Sequence, residues 1–414
     1  MPKAHQRGDG AGMEPPVISR RPLLKALWTV PVFVALGSGC ATDSSKGSPA
    51  SSDKPYELPS SAALADGKRK KPLDFGLAYS DTLPWMSDVD LAQALDDAAD
   101  LGVGWIRADL SWTNIQPDGP DQYLWERFDR IAKGAQERDL KVLATLGYSP
   151  QWAGDPSCGV KNATCPPADN ERFAQFASEA VTRYAAMGVH AWQVWNEANI
   201  KNFWQTGADP KRYTDLLAKA SAAIRAADPE AFVLMCGLAN SGTSEGREAP
   251  VEFLDHVLEE GAGKYVDGIS FHPFARVQLP STKTGRSTYE KIKGARQSLT
   301  SVLARHDLSD LEIWLTETGA PTHGNGAAAD NENPGKDTSH ATYAHQARIA
   351  ADVVKAADEL TAVTKVFWYS HRDTEPEEKN AGRHHYYGLI EYGGKRKPAF
   401  DAYRDAVADY RAEH

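Results

Sequence analysis

The chain has 414 residues with 41% hydrophobic content, which leaves room for one large domain or two ordinary ones. Its formal net charge of −10, from 56 acidic against 46 basic residues, offers no general attraction to a phosphate backbone and argues against nucleic acid as a partner. The 11 Trp and 15 Tyr are flat amphipathic rings that fill cores and also stack on sugar faces.

The first 70 residues read as export and tether rather than fold. Ser19-Arg20-Arg21-Pro22-Leu23-Leu24-Lys25 resembles a twin-arginine signal, and the apolar run from Ala26 to Gly37 is too short to span a bilayer comfortably. Gly39-Cys40 then resembles the end of a bacterial lipoprotein signal, with Cys40 as the lipidated residue. Gly37 stands where such signals usually carry leucine, so secretion with cleavage nearby stays open. Residues 1–40 are therefore expected as a signal. Residues 41–70, rich in Ser, Lys, Gly, Pro and Asp, are expected as a disordered tether, because they cannot bury enough apolar surface to fold. Such a chain would sit at the outer face of the cell membrane through its lipid, or be secreted, as a monomer.

From residue 73 onward short apolar runs alternate with longer amphipathic stretches, eight times over. The expected strands are Leu73–Ala78, Trp105–Ala108, Val142–Leu146, Ala191–Trp195, Phe232–Gly237, Gly268–Phe271, Glu312–Thr316 and Lys365–Tyr369. Helical patterns lie near 88–101, 125–138, 170–187, 211–227, 251–260, 289–306, 340–358 and 398–410. The fourth of these ends at Asp228-Pro229, a helix breaker. Strands alternating with helices require a parallel sheet with helical crossovers, and eight units over this length fit an α/β fold, a closed (β/α)8 barrel filling 71–414. The competing open, doubly wound sheet lacks its usual sign, since no G-x-G-x-x-G follows the first strand.

Three cysteines fall within the folded part. Cys158 and Cys165 lie seven apart in a polar loop and suit a small disulfide in an oxidising compartment, whereas Cys236, in an apolar strand, reads as a buried free thiol. His371, His384, His385 and Asp373 cluster in sequence but lack the spacing of a metal-binding helix, so neither metal nor cofactor is expected. The polar stretch from Ala327 to Lys336 reads as a flexible loop.

Barrel chemistry sits where strands end. The fourth strand runs out as Trp192-Gln193-Val194-Trp195-Asn196-Glu197 and the seventh as Trp314-Leu315-Thr316-Glu317-Thr318-Gly319, which would set two carboxylates facing each other across the mouth. A glycosidic bond breaks when one carboxyl protonates the leaving oxygen while an ionised one supplies electron density to the anomeric carbon. Glu197 and Glu317 can divide those tasks. Either Glu alone is ordinarily a solvated surface charge; the pairing carries the signal.

The Asn196-Glu197 pair and Glu317 resemble glycoside hydrolase clan A. Within the clan, Trp195-Asn196-Glu197-Ala198-Asn199, Phe271-His272-Pro273 and Tyr387-Gly388-Leu389 followed by Lys397-Pro398-Ala399 resemble family 39, over about 70 to 410. The resemblance implies a retaining enzyme with Glu197 as acid/base and Glu317 as nucleophile. It also implies Asn196 on the sugar 2-hydroxyl, Arg107 holding the nucleophile ionised, His272 lining the same subsite and Trp368 as the sugar-stacking platform. Arg107 could instead only pair with Asp109, His272 could be a core histidine, and the tryptophans could all be core. Many clan members carry a tyrosine where Phe274 stands, its hydroxyl on the nucleophile; Tyr148 and Tyr369 are candidates to replace it. The expected partner is a polysaccharide or oligosaccharide. A non-catalytic glycan-binding barrel and a transglycosylase are the alternatives.

Overall fold

The computed structural model describes residues 71–159, 163–274, 277–283, 287–294, 297–331, 338–377 and 382–414. The expected signal and tether, Cys40 included, lie outside the described residues.

Eight parallel strands close into a barrel. In chain order they are β1 (Asp74–Ser80), β2 (Trp105–Ser111), β3 (Lys141–Gly147), β4 (Ala191–Val194), β5 (Phe232–Ala239), β6 (Gly268–His272), β7 (Glu312–Thr318) and β10 (Val363–Tyr369). Each pairs with its neighbour, and β10 returns to β1 to seal the ring. Between β7 and β10 lies a two-stranded parallel ladder, β8 (Ala327–Ala329) and β9 (Thr338–Ala341); β8 falls in the stretch expected as flexible loop, and β9 lies just beyond it.

The helices outside the barrel begin where short polar side chains can take up their free N–H groups. Ser87 caps α1 (Asp88–Asp100), Asp169 caps α4 (Asn170–Ala185) and Asp209, followed by Pro210, caps α5 (Pro210–Ala227). The remaining helices are α2 (Trp112–Ile115), α3 (Glu126–Gln136), α6 (Pro250–Glu259), α7 (Leu299–Arg305), α8 (Tyr343–Asp358) and α9 (Pro398–Glu413). The pattern over 289–306 is not one helix. A single turn spans Tyr289–Lys291, and α7 starts afresh at a capping box in which Ser298 and Ser301 exchange side-chain and backbone hydrogen bonds.

Side chains of a strand alternate in direction, and the two sets pack differently. On β2, Ile106, Ala108 and Leu110 join the large core under the helices, while Arg107 reaches across the barrel to β7. The inner set, including Ala78, Leu143, Ala191, Leu234, Trp314, Phe367 and Tyr369, forms a separate core inside the ring. Trp314 stacks on Phe232 at 5.0 Å between ring centres and meets Trp105 edge-on at 5.3 Å, closing the barrel below the strand ends. Cys158 and Cys165 form a disulfide, and Cys236 is a buried free thiol.

Candidate active site

Both glutamates reach the barrel interior through irregular backbone. β7 places three residues, Thr316 to Thr318, against two of β10, because Leu315 pairs with Val366 and Thr318 with Trp368. This bulge breaks the alternation, so Thr316 and Glu317, adjacent in sequence, both turn inward. After β4 the chain passes through left-handed conformations at Trp195 (φ 69°) and Glu197 (φ 43°), rare for residues with a Cβ. Local bonds hold that turn in place. Glu197 N–H donates to Gly237 O at 2.9 Å, Gln193 Nε2 to Trp195 O at 2.9 Å, and Trp195 Nε1 to Phe203 O at 2.7 Å.

Glu197 and Glu317 are buried, and together with His272 they present ligand-type atoms all within 4.8 Å of one another. Arg107 Nη1 donates to Glu317 Oε1 at 2.6 Å and its Nη2 to Asn196 Oδ1 at 2.8 Å, so one guanidinium fixes both side chains. A 2.7 Å hydrogen bond joins His272 Nδ1 to Glu197 Oε1, and another of 3.0 Å joins His272 Nε2 to Thr316 Oγ1. Gly237 makes room for this imidazole: a Cβ there would lie 2.1 Å from Nε2.

The electrostatics separate the two carboxyls. Burial pushes Glu197 up to about 8, with Arg107 opposing only in part. Burial also raises Glu317, but His272 and Arg107 oppose it, and the bonded guanidinium gives its ionised form a partner. Burial holds His272 down to about 4, so the ring is neutral in the ordinary range. The three groups Glu197, His272 and Glu317 could approach a cation. They are, however, already engaged by hydrogen bond or ion pair with one another and with Arg107.

Tyr148 and Tyr369 also stand in this cluster, close enough to feel the charge of Glu317, but no hydrogen bond joins either hydroxyl to it. Tyr148 lies instead by Asp109. Phe274 packs edge-on against Tyr369 and Tyr387, at 5.7 and 5.4 Å.

Trp368 does not fit the expected platform. It is 0% exposed, belongs to the core outside the ring, packs against Tyr403 of α9 and donates Nε1 to Tyr387 O. A ring covered on both sides cannot receive a sugar. Alternation points it outward and turns Phe367 and Tyr369 inward, so Tyr369, one residue later, is the aromatic of this strand that faces the site.

Sequence reasoning missed Thr316 and Gln193, which reach the site only by folding. Asn199, carried by the motif without a role, clamps two loops: it accepts from Ala239 N–H and donates to Ala239 O and Glu248 O.

Comparison with known proteins places this geometry in context. Residues 67–368 match the model of the family described as cellulase (glycosyl hydrolase family 5). A β-xylosidase of Caldicellulosiruptor saccharolyticus is 22% identical over 312 residues, 73% of this chain and 60% of the relative, so the chain spans about 60% of that relative's length. Among solved structures, a family 39 glycoside hydrolase of Bacteroides cellulosilyticus superposes with TM-score 0.60 at 20% identity, covering 82% of this chain and 64% of the other. A monomeric β-xylosidase of Caulobacter crescentus superposes with TM-score 0.55 at 20% identity, over 81% and 68%. These structural likenesses concern the barrel fold.

Proposed function

The chain belongs to the cellulase family, glycosyl hydrolase family 5, and from that premise we propose that it is a retaining O-glycosidase in which Glu197 is the acid/base and Glu317 the nucleophile. The observation that carries the reading is the carboxyl pair itself: an oxygen of each within 4.8 Å, one glutamate pushed to about 8 and the other bonded to Arg107. Retaining enzymes hold their carboxyls about 5–5.5 Å apart, and a gap of about 6.5–9.5 Å is needed to seat the water of an inverting one.

In the first step Glu317 attacks the anomeric carbon while Glu197 delivers its proton to the leaving oxygen. The glycosidic bond breaks and an ester to Glu317 forms. In the tautomer that carries its proton on Nδ1, His272 donates to Glu197 Oε1 and leaves Oε2 to carry that proton. In the second step Glu197, now ionised, takes a proton from water as the water displaces Glu317 and restores both residues. Asn196, whose Oδ1 accepts from Arg107, hydrogen-bonds the sugar 2-hydroxyl in this reading.

The substrate is a β-linked polysaccharide or oligosaccharide outside the cytoplasm, met by an exported monomer. The Cys158–Cys165 disulfide favours an oxidising compartment, and the N-terminal signal reading of Cys40 adds a lipid anchor. A panel of envelope polysaccharides, xylans and aryl β-glycosides tests the activity. Wild type should release sugar from one of them, Glu197→Gln should lose about 10²- to 10⁴-fold, and Glu317→Gln should be inactive. Turnover surviving in Glu317→Gln contradicts the assignment.

A further inference from the structure

We infer that Trp85 is a sugar-stacking platform at the rim of the barrel mouth, holding a second unit of a chain whose first unit lies against Glu197 and Glu317. The enzyme then acts on oligosaccharides and polysaccharides better than on single glycosides. The inference rests on the glycosidase reading above. Trp85, at 56% exposure, is the one exposed tryptophan among the described residues. Its indole is nevertheless held on two sides. Nε1 donates to Asp81 Oδ2 at 3.1 Å, and the Arg127 guanidinium lies 3.8 Å from the ring centre. One face rests on that cation, and the other is left to meet a ligand.

The same bonds fix where the ring stands. Asp81 directly follows β1, and its Oδ1 accepts from Asn114 of α2, just past the end of β2, at 2.8 Å. Trp85 therefore lies at the C-terminal ends of the strands, the face that carries the catalytic pair. A hollow continues from it into the barrel, lined by Pro84, Leu124, Arg127 and Asp109. Asp109 follows Arg107 by two residues on β2 and so faces the same way. Leu124 is itself 53% exposed, which gives the rim two apolar side chains with Asp81 and Arg127 at their edges. A sugar ring suits such a surface, because its C–H face packs on an indole while its hydroxyls reach polar groups alongside. Continuity with the catalytic pair makes that sugar a unit of the same chain.

Oligosaccharides of increasing length from the polysaccharide that the wild type degrades, with the aryl glycoside of the same sugar, give the test. Wild-type kcat/KM should climb at least about 10-fold from the aryl glycoside to the longer oligosaccharides. In Trp85→Ala that climb should shrink about 10-fold, through KM rather than kcat. Trp85→Tyr, which keeps a flat ring, should restore most of it. A climb as steep in Trp85→Ala as in the wild type would overturn the inference. So would an equal loss on the aryl glycoside and on every oligosaccharide, the result expected if Trp85 only braces the loop after β1. A wild type that cuts the aryl glycoside alone also overturns it, whereas one that cuts no glycoside removes the glycosidase reading beneath it.

Discussion

Glu197 lies against a neutral histidine, and Glu317 lies 2.6 Å from a guanidinium; two identical side chains are thereby held in different electrostatic surroundings. The difference has a thermodynamic signature. Unfolded, Glu197 titrates near the ordinary 4.5, and folded it is pushed to about 8. Across that window the folded state keeps a proton that the unfolded state has released, so wild-type stability declines as pH rises through it. Glu197→Gln removes the titration. Its Tm should differ little from wild type near pH 4.5 and exceed it by a growing margin toward pH 8, read by calorimetry at several pH values; a constant margin would contradict the raised pKa. Activity should likewise fall as pH passes about 8 and the acid loses its proton. At this scale the sequence was informative where a residue type is chemically committed, as with the two glutamates, Asn196 and Arg107. It was uninformative for Thr316, which meets His272 only once β6 and β7 are side by side.

Elements decide which committed residues meet. Parallel strands are buried on both faces, so a run such as Val366-Phe367-Trp368-Tyr369 is apolar throughout and gives no sign of which residues face inward. That is why Trp368 could be expected at the mouth when Tyr369 holds the place. The bulge in β7 was equally invisible, because nothing in Leu315-Thr316-Glu317-Thr318 marks an extra residue against β10. Gly237 shows how closely strands must approach: its carbonyl accepts from Glu197 N–H, and its missing side chain admits His272. Gly237→Ala should displace that ring, lowering kcat/KM by about 10- to 100-fold and stability by about 1–3 kcal/mol. Steady-state kinetics and urea denaturation check both. Wild-type kinetics in this variant would mean that the position of His272 does not govern Glu197.

The whole molecule supplies the closure that holds the mouth together. The eightfold alternation made the barrel legible from the sequence, since few architectures bury eight parallel strands. The long connections around β8, β9 and the segment after β10 were not legible, because they are held by buried polar contacts rather than by periodic apolar faces. Lys397, fully buried at the start of α9, donates to Asp373 at 2.8 Å and to Thr322 Oγ1 at 2.8 Å, tying the loops that follow β7 and β10 to the last helix. Lys397→Met leaves Asp373 buried without its cation and should cost about 3–5 kcal/mol in chemical denaturation, with much of it recovered when Asp373→Leu is added. A variant as stable as wild type would show that the pair does not hold these loops. The measurement that bears most directly on the central claim is the anomeric configuration of the first sugar released, followed by proton NMR before mutarotation. Double displacement through Glu317 predicts a product with the configuration of the substrate; an inverted product would contradict it.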